Sequence, residues 1–261
     1  MTTLAGRTIA ALRTEHDTLA GAVSALTPEQ LTGPSGAAEW TIADALSHLG
    51  SGAEISLAGF RASIGAADAP GPDFNQGVWD RWNALSPPDQ AAGWARSDEA
   101  LVTTLEAVPA DSYDELKLKT FLPQPVPVAT YAALRVSEVI QHGWDVRAGI
   151  DPAATLAAGS AELLAEHLSG ALGFLFGFAS KADQAPEPAV VEITGTAYRV
   201  VIDESVRFTT DAAPATATFT GSLESALRLF YGRLKPGYTP AGVEVTGNVT
   251  LDQLRAVFPG F

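Results

Sequence analysis

The sequence contains no cysteine. This absence excludes disulfide bonds, zinc sites with cysteine ligands and a cysteine nucleophile. Any thiol chemistry carried out by this protein therefore depends on a thiol supplied by another molecule. Histidine is also scarce, because the chain has four, at positions 16, 48, 142 and 167. The choice of imidazole ligands or bases is correspondingly small.

Long apolar runs are missing as well. The longest, residues 168–179, is much shorter than the roughly 20 apolar residues of a membrane span and favours a buried helix. The first residues, Met-Thr-Thr-Leu-Ala-Gly-Arg, lack the apolar core of a signal peptide. We therefore expect a cytoplasmic protein that neither spans nor docks on a membrane.

Basic residues are few compared with acidic ones. Lys and Arg number 16 against 30 Asp and Glu, which gives a net charge of −14. A surface with this charge repels phosphate backbones, so nucleic acid is an improbable partner. Hydrophobic residues make up 46% and charged residues 18% of the 261 positions, a composition typical of a folded globular protein rather than a disordered one.

The hydrophobic pattern changes along the chain. Through most of residues 4–148 apolar side chains recur at helical spacing, whereas residues 189–194, 198–202, 206–210 and 215–220 alternate as strands do. We therefore predict an α+β protein with two domains. Residues 1–152 form a helical bundle, and residues 153–261 form a smaller α+β domain with a mostly antiparallel sheet.

One predicted helix carries a carboxylate and an imidazole in a pattern that suits a metal ion. Glu138 and His142 are four residues apart within residues 130–148, so both side chains lie on one helical face. His48 lies in a second predicted helix, which begins at a capping box after Thr41. Two helices of one bundle would supply three N/O ligands and leave a fourth position open, as in catalytic zinc sites. Zn²⁺ is the default for such ligands, although another divalent metal fits them too.

Each of these residues also has an ordinary structural interpretation. A single histidine such as His48 on an apolar helix is often a hydrogen-bonded core residue, and a Glu138/His142 pair is often a surface pair. Their joint occurrence among small or apolar neighbours favours a metal, because a carboxylate buried on an apolar face needs a partner of opposite charge.

Asp145 follows His142 by three residues and has two possible roles. It can accept a hydrogen bond from a metal-ligating histidine and so orient it. Alternatively it is a surface acid paired with Arg147 or Arg135. The sequence leaves both open.

For the remaining histidines and two tryptophans, the sequence predicts only whether the side chains are exposed or buried. His16 and His167 have polar sequence neighbours, which predicts that both lie on the surface. Trp40 and Trp144 are expected to be core aromatics.

Three segments together resemble the DinB-like, mycothiol-dependent maleylpyruvate isomerase family. They are Trp-Thr-Ile-Ala-Asp-Ala-Leu-Ser-His-Leu at residues 40–49, Glu-x3-His-Gly-Trp-Asp at 138–145, and Leu-Phe-Tyr-Gly-Arg at 229–233 with Val-Glu-Val-Thr-Gly-Asn at 243–248. Asn248 stands where the family usually has aspartate. The resemblance implies a DinB-like four-helix bundle followed by a sterol-carrier-like α+β domain.

The resemblance also implies a chemistry. A divalent metal, usually zinc, would be held by His48, Glu138 and His142, and mycothiol would be the thiol co-substrate. The thiol would act as a metal-bound thiolate that adds to a small electrophilic substrate, in a cis-trans isomerisation or an S-transfer. Arg233 would reach the active site from the C-terminal domain, where a guanidinium holds a substrate carboxylate well.

The sequence also allows other interpretations of the site and of Arg233. The site could belong to a zinc hydrolase that uses metal-bound water, or the bundle could be a non-catalytic module that binds a metal or ligand. Arg233 could instead be a surface cation at a helix C-terminus. The protein could be a monomer or a homodimer.

Overall fold

A computed structural model describes residues 3–260 of the chain. The chain forms two compact units, one ending at Asp151 and the other beginning at Pro152. Across residues 3–260, no helix combines the length and the apolar character needed to cross a bilayer.

The first unit is a bundle of four long helices. Helix α1 (Leu4–Ser24) packs against α5 (Pro87–Glu106) and α6 (Val128–Ile150). Helix α3 (Ile42–Ser63) packs against the same two helices, so the four enclose a common apolar core. A short helix follows α1, another follows α3, and an antiparallel pair of two-residue strands precedes α6. The bounds are α1 Leu4–Ser24, α2 Pro28–Leu31, α3 Ile42–Ser63, α4 Phe74–Asn83, α5 Pro87–Glu106, β1 Lys117–Leu118, β2 Val126–Pro127 and α6 Val128–Ile150.

Helix α3 begins where its sequence predicts. The Thr41 hydroxyl accepts a hydrogen bond from the Asp44 amide at 3.0 Å, and the Asp44 carboxylate accepts one from the Thr41 amide at 2.9 Å. This capping box satisfies amides that the first turn of a helix otherwise leaves without partners. It therefore fixes the end of α3 that lies nearest His48.

Trp82 of α4 packs where α3 and α5 meet, at two glycines that leave room for its indole. Its indole lies between Gly50 of α3 and Gly93 of α5, two positions without side chains, and its Nε1 donates to Glu54 at 2.9 Å. Because Trp82 is almost completely buried there, it fills the space that side chains at the two glycines would need.

The second unit is a five-stranded sheet with helices. Its strands are β3 (Ala189–Ile193), β4 (Arg199–Ile202), β5 (Val206–Thr209), β6 (Ala217–Thr220) and β7 (Glu244–Gly247). Their order in the sheet is β5-β4-β3-β6-β7, and all neighbouring strands are antiparallel except β3 and β6. Buried residues alternate along β3, as expected when one face of a sheet is covered. The bounds are α7 Ala158–Leu168, α8 Phe176–Ala179, β3 Ala189–Ile193, β4 Arg199–Ile202, β5 Val206–Thr209, β6 Ala217–Thr220, α9 Leu223–Phe230, β7 Glu244–Gly247 and α10 Leu251–Val257.

The predicted α+β class is confirmed, with a helical N-terminal part followed by a mostly antiparallel sheet. One local prediction is wrong. Residues 168–179 do not form a continuous buried helix, since α7 ends at Leu168 and a 3-10 turn separates it from α8. Phe178 in this stretch is 69% exposed. Glycines at positions 170, 173 and 177 account for the difference, because glycine is a poor helix former.

The packing around Trp82 predicts the effect of a small substitution. A Cβ atom at Gly50 would lie 2.2 Å from Cη2 of Trp82 and 3.0 Å from Cα of Trp94. Gly50→Ala is therefore expected to lower the free energy of unfolding by about 1–3 kcal/mol, as overpacked core substitutions do. Urea denaturation measures this value.

Gly21→Ala is the matched control, since a Cβ at Gly21 of α1 meets no atom within 4 Å. It should stabilise the protein by up to about 1 kcal/mol through helix propensity alone. Equal effects of the two substitutions would contradict the close packing of α3 and α5.

Candidate metal centre

Three side chains from two helices converge at one point of the bundle. His48 comes from α3, and Glu138 and His142 come from α6; their candidate ligand atoms all lie within 4.8 Å of one another. Nε2 of His48 is 3.0 Å from Oε2 of Glu138, and Nε2 of His142 is 3.7 Å from the same oxygen. Helical spacing puts the two α6 residues on one face, and packing of α3 against α6 brings the third to them.

Solvent reaches this cluster. The Glu138 side chain is 51% exposed and that of His48 is 41% exposed, whereas that of His142 is 15% exposed. The rest of residues 131–148 are buried or half-buried. The assumption of a buried Glu138 is therefore wrong, and the carboxylate stands at an opening in an otherwise covered helix.

Glu138 remains ionised at neutral pH. Partial removal from water raises the pKa of its carboxyl group, but the hydrogen bond from His48 and the electrostatic interactions with His142, His48 and Arg135 outweigh this effect and hold the pKa at about 2. An ionised carboxylate beside two imidazole nitrogens is a favourable arrangement for a cation.

Asp145 orients His142. Its Oδ2 lies 2.9 Å from Nδ1 of His142, and the residue is fully buried. With the hydrogen of the ring on Nδ1, the lone pair of Nε2 points towards Glu138. Arg147 contacts Glu15 at 3.5 Å, and Arg135 contacts Asp98 at 2.6 Å.

Trp40 forms an aromatic wall beside both histidines. Its ring stacks on His142 with centroids 5.4 Å apart and tilts towards His48 at 5.1 Å. It is half-buried rather than part of the core, whereas Trp144 is fully buried as predicted. The sequence offered one clue to this position, namely that Trp40 immediately precedes the N-cap of the helix that carries His48.

The loop that carries Trp40 is tied to α6. The amide of Gly36 donates to the Asp145 carbonyl at 2.8 Å, and the amide of Ser35 donates to the Trp40 carbonyl at 2.9 Å. Glu39 adopts a left-handed conformation with φ of 64°, which is uncommon for a residue other than glycine. Asp145 thus holds His142 through its side chain and the tryptophan loop through its backbone.

The other two histidines are not members of this cluster, and the prediction that they are on the surface is wrong. His16 is buried between two carboxylates, 2.8 Å from Asp98 and 3.2 Å from Glu99, and His167 is buried in the second unit. Adjacent residues on a helix point in different directions, so polar neighbours in sequence do not predict exposure.

Arg233 belongs to the second unit and is largely buried. Its Nη1 donates to the Tyr231 carbonyl at 2.8 Å. Gly232 before it has φ of 70°, and a Cβ there would lie 2.5 Å from the backbone of Gly260. Glycine is therefore required at this position for both conformational and packing reasons.

The donor set suits a divalent metal. Two imidazole nitrogens and one carboxylate oxygen match the ligands of catalytic zinc sites, which keep a fourth position for water or substrate. The exposure of Glu138 and His48 leaves space on the solvent side for such a fourth ligand.

The different burial of Asp145 and Glu138 predicts stability losses of different size when each is replaced by alanine. Asp145→Ala removes a buried partner of His142 and is expected to lower the free energy of unfolding by about 1–3 kcal/mol. Glu138→Ala removes a half-exposed pair, which contributes about 0–1 kcal/mol. Urea denaturation in the presence of a metal chelator compares the two variants. A larger loss for Glu138→Ala would contradict this description of the cluster.

Comparisons with known proteins include the segment that carries the cluster. A protein-family model described as the mycothiol maleylpyruvate isomerase N-terminal domain matches residues 12–147, a segment that contains all three residues of the cluster. A search of curated proteins finds no match.

Two solved structures are similar over nearly the full length. A crystal structure of the mycothiol-dependent maleylpyruvate isomerase has 18% sequence identity and a TM-score of 0.66, with 95% of this chain and 98% of that chain covered. A mutant of that enzyme with one histidine replaced by alanine has 17% identity, the same TM-score and the same coverage. At these identities the likeness shows a shared fold. Because the family model spans more than half of the chain, the protein belongs to the mycothiol maleylpyruvate isomerase N-terminal domain family.

Proposed function

We propose that this protein is a metal-dependent enzyme that activates a small thiol, mycothiol, for addition to an electrophilic substrate. The favoured reaction is a cis-trans isomerisation of the kind named for the solved relative, with thiol S-transfer as the variant of the same chemistry. The observation that carries the proposal is the convergence of His48, Glu138 and His142 at a solvent-accessible point of the bundle.

In this proposal each residue of the site has a defined task. His48, Glu138 and His142 hold the metal, zinc by default. A divalent metal in such a site lowers the pKa of a bound thiol, so that the reactive thiolate is present at neutral pH. Asp145 keeps His142 in the tautomer that offers Nε2 to the site. Trp40 shields one side of both imidazoles from water.

The composition supports an external thiol. The chain has no cysteine that could be the nucleophile, so the thiol must enter as a co-substrate. Cytoplasmic thiols are kept reduced, and a cytoplasmic location is therefore part of the proposal.

Arg233 is proposed to bind a carboxylate of the substrate. Its support is the resemblance of residues 229–233 to the family's Gly-Arg segment and the suitability of a guanidinium for bidentate binding. We also propose that the first unit is a DinB-like bundle and that the second is a sterol-carrier-like domain.

Metal content is the first test. Protein purified without added metal should contain about one divalent ion per chain, measured by elemental mass spectrometry, because three protein ligands define one site. Glu138→Gln should lose most of it, whereas Glu244→Gln, the same change at an exposed position on β7, should retain it. A metal-free wild-type protein that also binds no added zinc would refute the proposal.

Activity is the second test. Wild-type protein with mycothiol should isomerise maleylpyruvate, monitored by the product and by recovery of free thiol. Arg233→Lys should raise KM for the substrate about tenfold to a hundredfold, since a charge-assisted hydrogen bond contributes about 1.5–3 kcal/mol. Its metal content should not change.

Arg207→Lys is the control, because Arg207 is an exposed residue of β5 that pairs with Asp203. Consumption of thiol with formation of a stable adduct would identify a transferase. Cleavage of the substrate by water without thiol would identify a hydrolase, and metal binding without any turnover would identify a binding module. An unchanged KM for Arg233→Lys would remove that residue from the site.

A further inference from the structure

Arg135 forms a buried bridge between three helices of the bundle. The residue belongs to α6 and is 5% exposed. Its Nη2 donates to the backbone carbonyl of Leu49 on α3 at 2.8 Å and to Oδ1 of Asp98 on α5 at 2.6 Å. One guanidinium nitrogen thus connects α6 to α3, which packs against it, and to α5.

This bridge lies close to the cluster in sequence on both α6 and α3. On α6, Arg135 precedes Glu138 by three residues. On α3, Leu49 follows His48 directly, and Gly52 lies one turn further along. A Cβ at Gly52 would be 3.3 Å from Nη1 of Arg135, so the glycine leaves room for the guanidinium against α3.

The bridge is anchored to the remaining helix, α1. Oδ2 of Asp98 lies 2.8 Å from Nδ1 of His16, whose Nε2 is 3.2 Å from Glu99. Glu99 also pairs with Arg13 of α1. The result is a continuous polar network through all four long helices.

The charge of Asp98 is maintained despite its burial. Desolvation raises the pKa of its carboxyl group, but the positive charge of Arg135 and the hydrogen bonds from His16 and Arg135 outweigh this and keep the pKa below its usual value. Arg135 therefore faces an ionised partner inside the bundle.

The contact between His48 and Glu138 is too exposed to determine the distance between α3 and α6. Ion pairs open to solvent contribute little to stability, whereas breaking a buried pair leaves an uncompensated charge and is strongly unfavourable. The helices must therefore adopt the spacing that satisfies Arg135, and the exposed residues follow.

We propose that Arg135, held by Asp98, is a positioning residue that fixes α3 against α6 so that His48 meets Glu138 and His142. The inference rests on the proposed metal site and adds a residue that does not touch the metal. It predicts that metal affinity depends on a buried group one turn away from the ligands.

The test is the double variant Arg135→Met/Asp98→Asn, which removes both charges together and so leaves no unpaired ion in the bundle. Zinc affinity is measured by competition with a chromophoric chelator, and thermal unfolding is followed with chelator present. The expected result is a zinc Kd about tenfold to a hundredfold higher than that of wild type, as found when groups supporting metal ligands are removed.

A matched control separates positioning from general stability. Arg228 and Glu224 form another buried pair, with Nε and Oε2 2.8 Å apart, on α9 of the second unit. Arg228→Met/Glu224→Gln should also lower the unfolding temperature but leave the zinc Kd within about twofold of wild type. An unchanged Kd in the Arg135 variant, or equal losses in both variants, would overturn the inference.

The test also covers a double variant that does not fold and a wild-type protein that binds no zinc. If the Arg135 double variant does not fold, Arg135→Lys alone is the test, because lysine keeps a positive charge opposite Asp98 but loses the planar guanidinium that reaches both Asp98 and the Leu49 carbonyl; an unchanged Kd there overturns the inference. If wild-type protein binds no zinc in the same titration, the proposed function fails and the inference fails with it. If wild-type protein binds zinc and the Arg135 variant binds it with the same Kd, only the positioning role of Arg135 is rejected.

Discussion

The arrangement of the bundle depends on pairing charges that helix α6 carries into the interior. Arg135 and Asp145 are both buried, and an unpaired buried charge costs several kcal/mol. Arg135 finds Asp98 and the Leu49 carbonyl, while Asp145 finds His142 and its backbone binds the loop before α3. The position of α6 that satisfies both also puts Glu138 opposite His48. The candidate metal centre is therefore a consequence of how the interior is neutralised.

Features that depend on short stretches of chain could be predicted from the sequence. The four-residue spacing of Glu138 and His142 specifies a shared helical face, and the Thr41 capping box specifies where α3 begins. Alternation of apolar residues identified strands β3 to β6, because one face of the sheet is covered. These signals are local, since hydrogen bonding and side-chain direction repeat over a few residues.

Features that depend on residues far apart could not be predicted in the same way. His16 lies against Asp98, a separation of 82 residues, and its own sequence neighbours gave the wrong environment. The exposure of Glu138 depends on which helices leave that turn uncovered, and the stacking of Trp40 depends on a loop bound to α6. In each case the group that determines the environment of the residue belongs to another helix or loop. The residue's own sequence neighbours therefore do not predict that environment.

The separation of His48 and Glu138 by 90 residues has a thermodynamic consequence. The cluster exists only while α3 and α6 are packed together, so any cation it holds binds the folded bundle and not the unfolded chain. At a free concentration one hundred times Kd, such binding adds about 2.7 kcal/mol to the folded state. All three residues of the cluster belong to the first unit, so the bound cation would act on the bundle directly. Free metal concentration would then set the temperature at which α3 and α6 separate.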